Sequence, residues 1–116
     1  MSVATILIVD DEEPIRELMA MVLESDGHRV LLAMHGKQAL ALVEQQRMDL
    51  VISDVMMPVL DGIELCHRLK ALSDTPVILM SAAGREIITD TPADAFMAKS
   101  FDLYAMEELI AGFLQK

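Results

Sequence analysis

The sequence predicts a doubly wound α/β domain, a five-stranded parallel sheet with helices on both faces. Three observations predict it. Five short apolar runs punctuate the chain, and most are continuous rather than alternating, as strands buried on both faces are. Between them lie stretches whose apolar residues recur at helical spacing. Strand and helix alternate along the whole 116 residues, the order of a parallel sheet joined by crossover helices. Right-handed crossovers then restrict the topology strongly.

The first strand is Ile6-Leu7-Ile8-Val9. Pro14 suits the first turn of the helix that follows, where its missing N–H costs nothing. Ile15, Leu18, Met19, Val22 and Leu23 then line one helix face, and Asp26-Gly27 ends it. Val30-Leu31-Leu32-Ala33 forms the second strand. Gly36 to Gln46 forms the second helix, with Ala39, Leu40 and Val43 inward. Leu50-Val51-Ile52 is the third strand. Gly62 to Leu72 is the third helix, with Leu65, Cys66 and Leu69 inward. Asp74-Thr75-Pro76 breaks the chain before the fourth strand, Val77-Ile78-Leu79-Met80. The fifth strand, Ala95-Phe96-Met97-Ala98, is the weakest, because alanine and methionine are poor strand formers. Before it, Asp90-Thr91-Pro92-Ala93-Asp94 resists helix, since Pro92 restricts its own backbone and that of Thr91. A fourth helix is therefore expected to be short or irregular, near Arg85 to Thr89. Met106, Leu109, Ile110, Phe113 and Leu114 line the last helix. With no repeat, low-complexity tract or linker, residues 1–116 are expected to form one domain, closing after that helix without an effector domain.

Composition narrows the function. Nineteen acidic against nine basic residues leave a net charge of −10, which argues against direct binding to nucleic acid and favours a cation or a basic partner. A hydrophobic content of 53% excludes disorder. No apolar run approaches the ~20 residues of a membrane helix, and the N-terminus has no signal-like core. The single cysteine, Cys66, excludes an internal disulfide. The expectation is a reduced, cytoplasmic protein without membrane contact. His28, His35 and His67 have no ligand spacing. The ten methionines read as packing.

The polar residues at the strand ends carry the chemistry. Asp10-Asp11 follows the first strand, Asp54 the third, Ser81 the fourth and Lys99 the fifth, so all project from one edge of the sheet, where such folds place their sites. Clustered carboxylates repel unless a cation compensates. All-oxygen ligands with surplus negative charge suit Mg2+. A carboxylate also serves as a nucleophile toward phosphorus. Lysine and serine supply the positive clamp and the donor that a moving phosphoryl group requires. Each residue alone has an ordinary reading, as helix-terminal acid, loop acid, helix cap or surface charge; their joint arrangement points to phosphoryl transfer.

These residues lie in stretches that resemble the receiver domains of two-component response regulators, the family that includes the small chemotaxis regulators. The stretches are Ile6 to Glu12, Asp49 to Gly62, Pro76 to Ala82 and Phe96 to Phe101, and the middle one carries the highly specific Asp-x-x-Met-Pro-x-x-Asp-Gly. The resemblance implies a flavodoxin-like strand order 2-1-3-4-5. It implies Asp54 as phosphoacceptor, Asp11 as a direct magnesium ligand, Asp10 as a ligand acting largely through water, and the Met56 carbonyl as completing the metal sphere. It implies that Lys99 pairs with the phosphoryl group, that Ser81 moves to bond it, and that Phe96 is the aromatic switch, a role in which it lacks the tyrosine hydroxyl. The implied donor is a sensor histidine kinase or phosphotransfer protein, and the implied reader is a downstream effector. The resemblance implies a signalling receiver that assists its own phosphorylation and dephosphorylation rather than an enzyme.

Two departures from the family pattern stand out. Ser100 replaces the usual proline after Lys99. A cis bond before a non-proline residue costs about 2.5–4 kcal/mol, so a trans Lys99–Ser100 bond is expected. Ser81 to Lys99 spans 99 − 81 = 18 positions, roughly one helical turn short of the family's habit. The alternatives are a receiver fragment of a larger regulator or hybrid kinase, and a phosphate-independent interaction module. A metal-dependent aspartyl phosphatase is disfavoured, because the position two beyond the nucleophile is Met56 rather than a second acid.

Overall fold

A computed structural model describes residues 3–58, 60–82, 91–99 and 102–114. Five strands alternate with helices: β1 (Thr5–Val9), α1 (Glu13–Ser25), β2 (Arg29–Ala33), α2 (Gly36–Gln45), β3 (Leu50–Asp54), α3 (Gly62–Leu72), β4 (Val77–Ser81), β5 (Ala95–Ala98) and α4 (Leu103–Leu114). The strands form one sheet in the order β2-β1-β3-β4-β5, and every pairing is parallel.

The pleat sorts the apolar runs into two cores. Leu7, Val9, Val51, Val77 and Leu79 face α2 and α3, where Ala39, Leu65, Cys66 and Leu69 meet them. Ile6, Ile8, Leu50, Ile52, Ile78 and Met80 face α1 and α4, where Met19, Leu23, Met106 and Ile110 meet them. Because both faces are covered, β1, β3 and β4 are apolar at successive positions, which is why they read as unbroken runs. The edge strand β2 is only partly buried until Ala33. β5 is half-buried, and its alanines and Met97 are held by the ladder to β4.

Local chemistry sets the boundaries. Pro14 sits in the first turn of α1, and Gly27 beyond its end has a φ of 93°, a left-handed conformation that favours glycine. The Asp61 carboxylate accepts the Glu64 N–H at 2.8 Å and caps α3. At the opposite edge from the strand ends, Lys70 Nζ donates to Asp94 at 2.6 Å and to the Thr75 carbonyl at 3.0 Å. Asp94 also accepts the Val77 N–H at 2.8 Å, tying α3 to the starts of β4 and β5. Burial pushes the Cys66 thiol pKa up, in keeping with an inert core cysteine.

The stripe of α1 is rotated from the one expected. Arg16, Met19, Ala20 and Leu23 are its buried residues, whereas Leu18 is 40% exposed. Ile15 and Val22 pack only at the margin. The helix near Arg85 to Thr89 and the Lys99–Ser100 bond lie outside the described residues. Among the described residues, no helix is long and apolar enough to cross a membrane.

Candidate functional site

The sheet order reverses between β1 and β3, and the crevice at their carboxyl ends receives the polar residues. Asp10 continues β1 by one residue, its N–H bonded to the Ala33 carbonyl at 3.1 Å. Its side chain is fully buried. Oδ1 accepts the Glu12 N–H at 2.8 Å. The Asp10 carbonyl accepts Arg16 Nη1 at 2.7 Å.

Asp54 closes β3 and is also buried. Its Oδ1 accepts the Met56 N–H at 3.2 Å, and its Oδ2 accepts Lys99 Nζ at 3.0 Å. Gly62 lies directly against the Asp54 backbone: a Cβ there would sit 2.1 Å from the Asp54 carbonyl oxygen. Ser81 closes β4, buried, in register with Ala98 of β5. The Ser81 carbonyl accepts the Lys99 N–H at 3.1 Å, so the β4–β5 pairing also fixes where Lys99 starts.

Lys99 leaves β5 and reaches across β4 and β3. Its ammonium bonds Asp54, lies 3.4 Å from Asp10 Oδ1, and bonds Glu12 in a short contact. Oxygens of Asp10, Glu12 and Asp54 all fall within 4.8 Å of one another. Three carboxylates thus share one ammonium. Burial raises the Asp10 pKa above its ordinary value; the Glu12 N–H and Lys99 oppose the rise and the Asp54 charge adds to it. Burial alone pulls Lys99 down, but its bonds to Glu12 and Asp54 and the charges of Asp10 and Asp54 hold its pKa above the usual lysine range.

Among the described residues, Asp10 Oδ2 is buried without a hydrogen-bond partner. It lies 3.3 Å from Lys99 Nζ, close enough for charge attraction but outside hydrogen-bonding geometry. A buried, unsatisfied carboxylate oxygen among surplus negative charge fits a hard divalent cation.

The expected residues divide. Asp10, Asp54 and Lys99 are in contact, and Ser81 stands at the neighbouring strand end. Asp11 is exposed, and its carboxylate is not in the clustered group. The Met56 N–H bonds Asp54 while its side chain is 65% exposed. Phe96 is half-buried, pairs in register with Leu79 and packs on the α2/α3 face. Two residues were not anticipated. Glu12 reads in sequence as one more acid at a helix N-terminus. Arg16 carried a usable signal, since it precedes Met19 by three residues and Leu23 by seven and so falls on the buried stripe.

Comparison with known proteins agrees with this fold. A family model described as the response regulator receiver domain matches residues 6–111. The response regulator MprA of Mycolicibacterium vanbaalenii is 40% identical over 111 residues, covering 91% of this chain and 47% of the relative. The chain thus spans about half the length of the curated relatives it matches. The chemotaxis protein CheY4 of Vibrio cholerae superposes with a TM-score of 0.92 at 28% identity, covering 97% of this chain and 100% of that one. The response regulator TrrA of Thermotoga maritima, solved in complex with Mg2+ and BeF, superposes at 0.88 with 32% identity, covering 96% and 99%.

Proposed function

The chain belongs to the response regulator receiver domain family, and from that premise we propose that Asp54 accepts a phosphoryl group from the histidine of a sensor kinase or phosphotransfer protein. An Asp54 carboxylate oxygen attacks phosphorus. The bond from phosphorus to the donor breaks, and the donor keeps its electron pair. The product is an acyl phosphate on Asp54. The observation that carries this reading is the Lys99 ammonium 3.0 Å from Asp54 Oδ2, at a buried strand end beside a partnerless carboxylate oxygen.

Each residue has a part. Lys99 supplies fixed positive charge where phosphoryl oxygens arrive. The Ser81 hydroxyl donates to one of those oxygens. Asp10, Asp11, Asp54 and the Met56 carbonyl would hold Mg2+, which would supply charge neutralisation there. Phosphorylation adds dianionic charge and acceptor oxygens that Ser81 and Lys99 bond best in one of two conformations, so the population shifts. Phe96, half-buried on β5, moves with that shift, and a downstream effector protein reads the altered surface. The domain works in the cytoplasm, where such donors and effectors meet it, and does not itself touch membrane or nucleic acid.

The test is incubation with Mg2+ and acetyl phosphate, followed by intact mass. One added phosphoryl group is expected on the parent and none on Asp54→Asn. An unmodified parent, with a kinase donor also supplied, would favour a phosphate-independent interaction module.

A further inference from the structure

Glu12 occupies the N-cap position of α1, yet its side chain caps nothing. N-cap side chains normally accept a helix N–H. The Glu12 carboxylate instead turns to the site and binds Lys99. Lysine has three N–H donors and no more. Here they face Glu12, Asp54 and Asp10, so the ammonium has no donor left for another anion. Two of these partners, Asp10 and Asp54, are buried strand-end carboxylates. The Glu12 side chain is 58% exposed and sits on a loop, which makes it the partner that can swing away into water at least cost.

We propose that Glu12 is a positioning residue for phosphoryl transfer: it tethers Lys99 in the resting site and must release it when an anion arrives at Asp54. The inference rests on the receiver reading above. Glu12 adds a negative charge to a place that must accept a phosphoryl dianion, and it competes with that dianion for the same ammonium. Removing the tether therefore strengthens anion binding at Asp54, and does so through Lys99.

The test measures beryllofluoride affinity at saturating Mg2+ by calorimetry or NMR titration, in parent, E12Q, E12D, K99M and E12Q/K99M. A partly exposed ion pair sets the scale, so E12Q should bind about two- to fivefold more tightly than the parent. E12D keeps the charge but loses one methylene of reach, so it should tighten binding in the same direction. In the K99M background, E12Q should change affinity little. Unchanged or weaker binding by E12Q overturns the inference, as does equal tightening with and without Lys99. E12D behaving as the parent makes the effect one of charge alone and also overturns it. If the parent itself fails to bind beryllofluoride with Mg2+, the receiver reading falls and takes the inference with it.

Discussion

At Gly62 the chain has no room for a side chain, because the Asp54 backbone occupies the space a Cβ would need. The neighbouring atoms are main chain and cannot rotate away. Gly62→Ala should lower stability by about 1–3 kcal/mol, read as a shift of the urea midpoint, and should weaken metal binding by displacing Asp54. Asp10 allows a prediction about pH. Its folded pKa is raised by burial, so the native state binds its proton more tightly than the unfolded chain does. Its contribution to stability is therefore greatest below the ordinary carboxylate pKa and falls as pH rises from there through the folded value. In the metal-free protein, Asp10→Asn should have a higher thermal midpoint than the parent at neutral pH, with the advantage shrinking as the solution is acidified. Scanning calorimetry at several pH values checks this. At this scale the sequence was legible where residue type and strand-end position coincide, as for Asp10, Asp54, Ser81 and Lys99. It was silent on Glu12, whose role depends on a loop turning its carboxylate away from the helix it begins. Asp11, which the resemblance implies as a direct magnesium ligand, is exposed after the turn that follows β1, and its carboxylate stands outside the clustered group.

Among the elements, α3 shows how local chemistry and packing agree. Its start at Gly62, its inward residues and its last residue at Leu72 were legible from the 3.6-residue period, and the structure adds Asp61 as its cap. Asp61→Ala removes the bond to the Glu64 N–H and should cost about 1 kcal/mol, measured by chemical denaturation. α1 was legible as a helix but not in its facing. A period alone leaves the stripe free to rotate by one residue, and Arg16 was not among the residues assigned to it. The structure buries it because its guanidinium has a carbonyl acceptor on Asp10. Leu18 comes to the surface as a result. β5 was the weakest strand by propensity, and what holds it is pairing with β4 together with the Asp94–Lys70–Val77 cluster at its start. Neither the ladder nor the cluster can be seen without the fold.

For the whole molecule, alternation of buried runs with amphipathic helices was enough to predict the sheet, since a run apolar at every position fits only a strand covered on both faces. The strand order came from family resemblance, because periodicity says nothing about which strands adjoin. A net charge of −10 had no location in the sequence. The structure gathers part of it, Asp10, Glu12 and Asp54, around one ammonium at the switch point. A site so arranged stabilises the fold when a cation enters. At about 100 times its dissociation constant, Mg2+ should add roughly 2.7 kcal/mol. The thermal midpoint should therefore rise with Mg2+ in the parent and rise much less in Asp54→Asn.

The central claim is that Asp54 is the residue phosphorylated. Borohydride reduces an acyl phosphate on aspartate to homoserine, so trapping after treatment with Mg2+ and acetyl phosphate, followed by peptide mass mapping, tests that claim directly. Homoserine is expected at position 54 alone, and none when Mg2+ is chelated. Homoserine at Asp10, Asp11 or any other acid, or an adduct that forms equally without the metal, would contradict it.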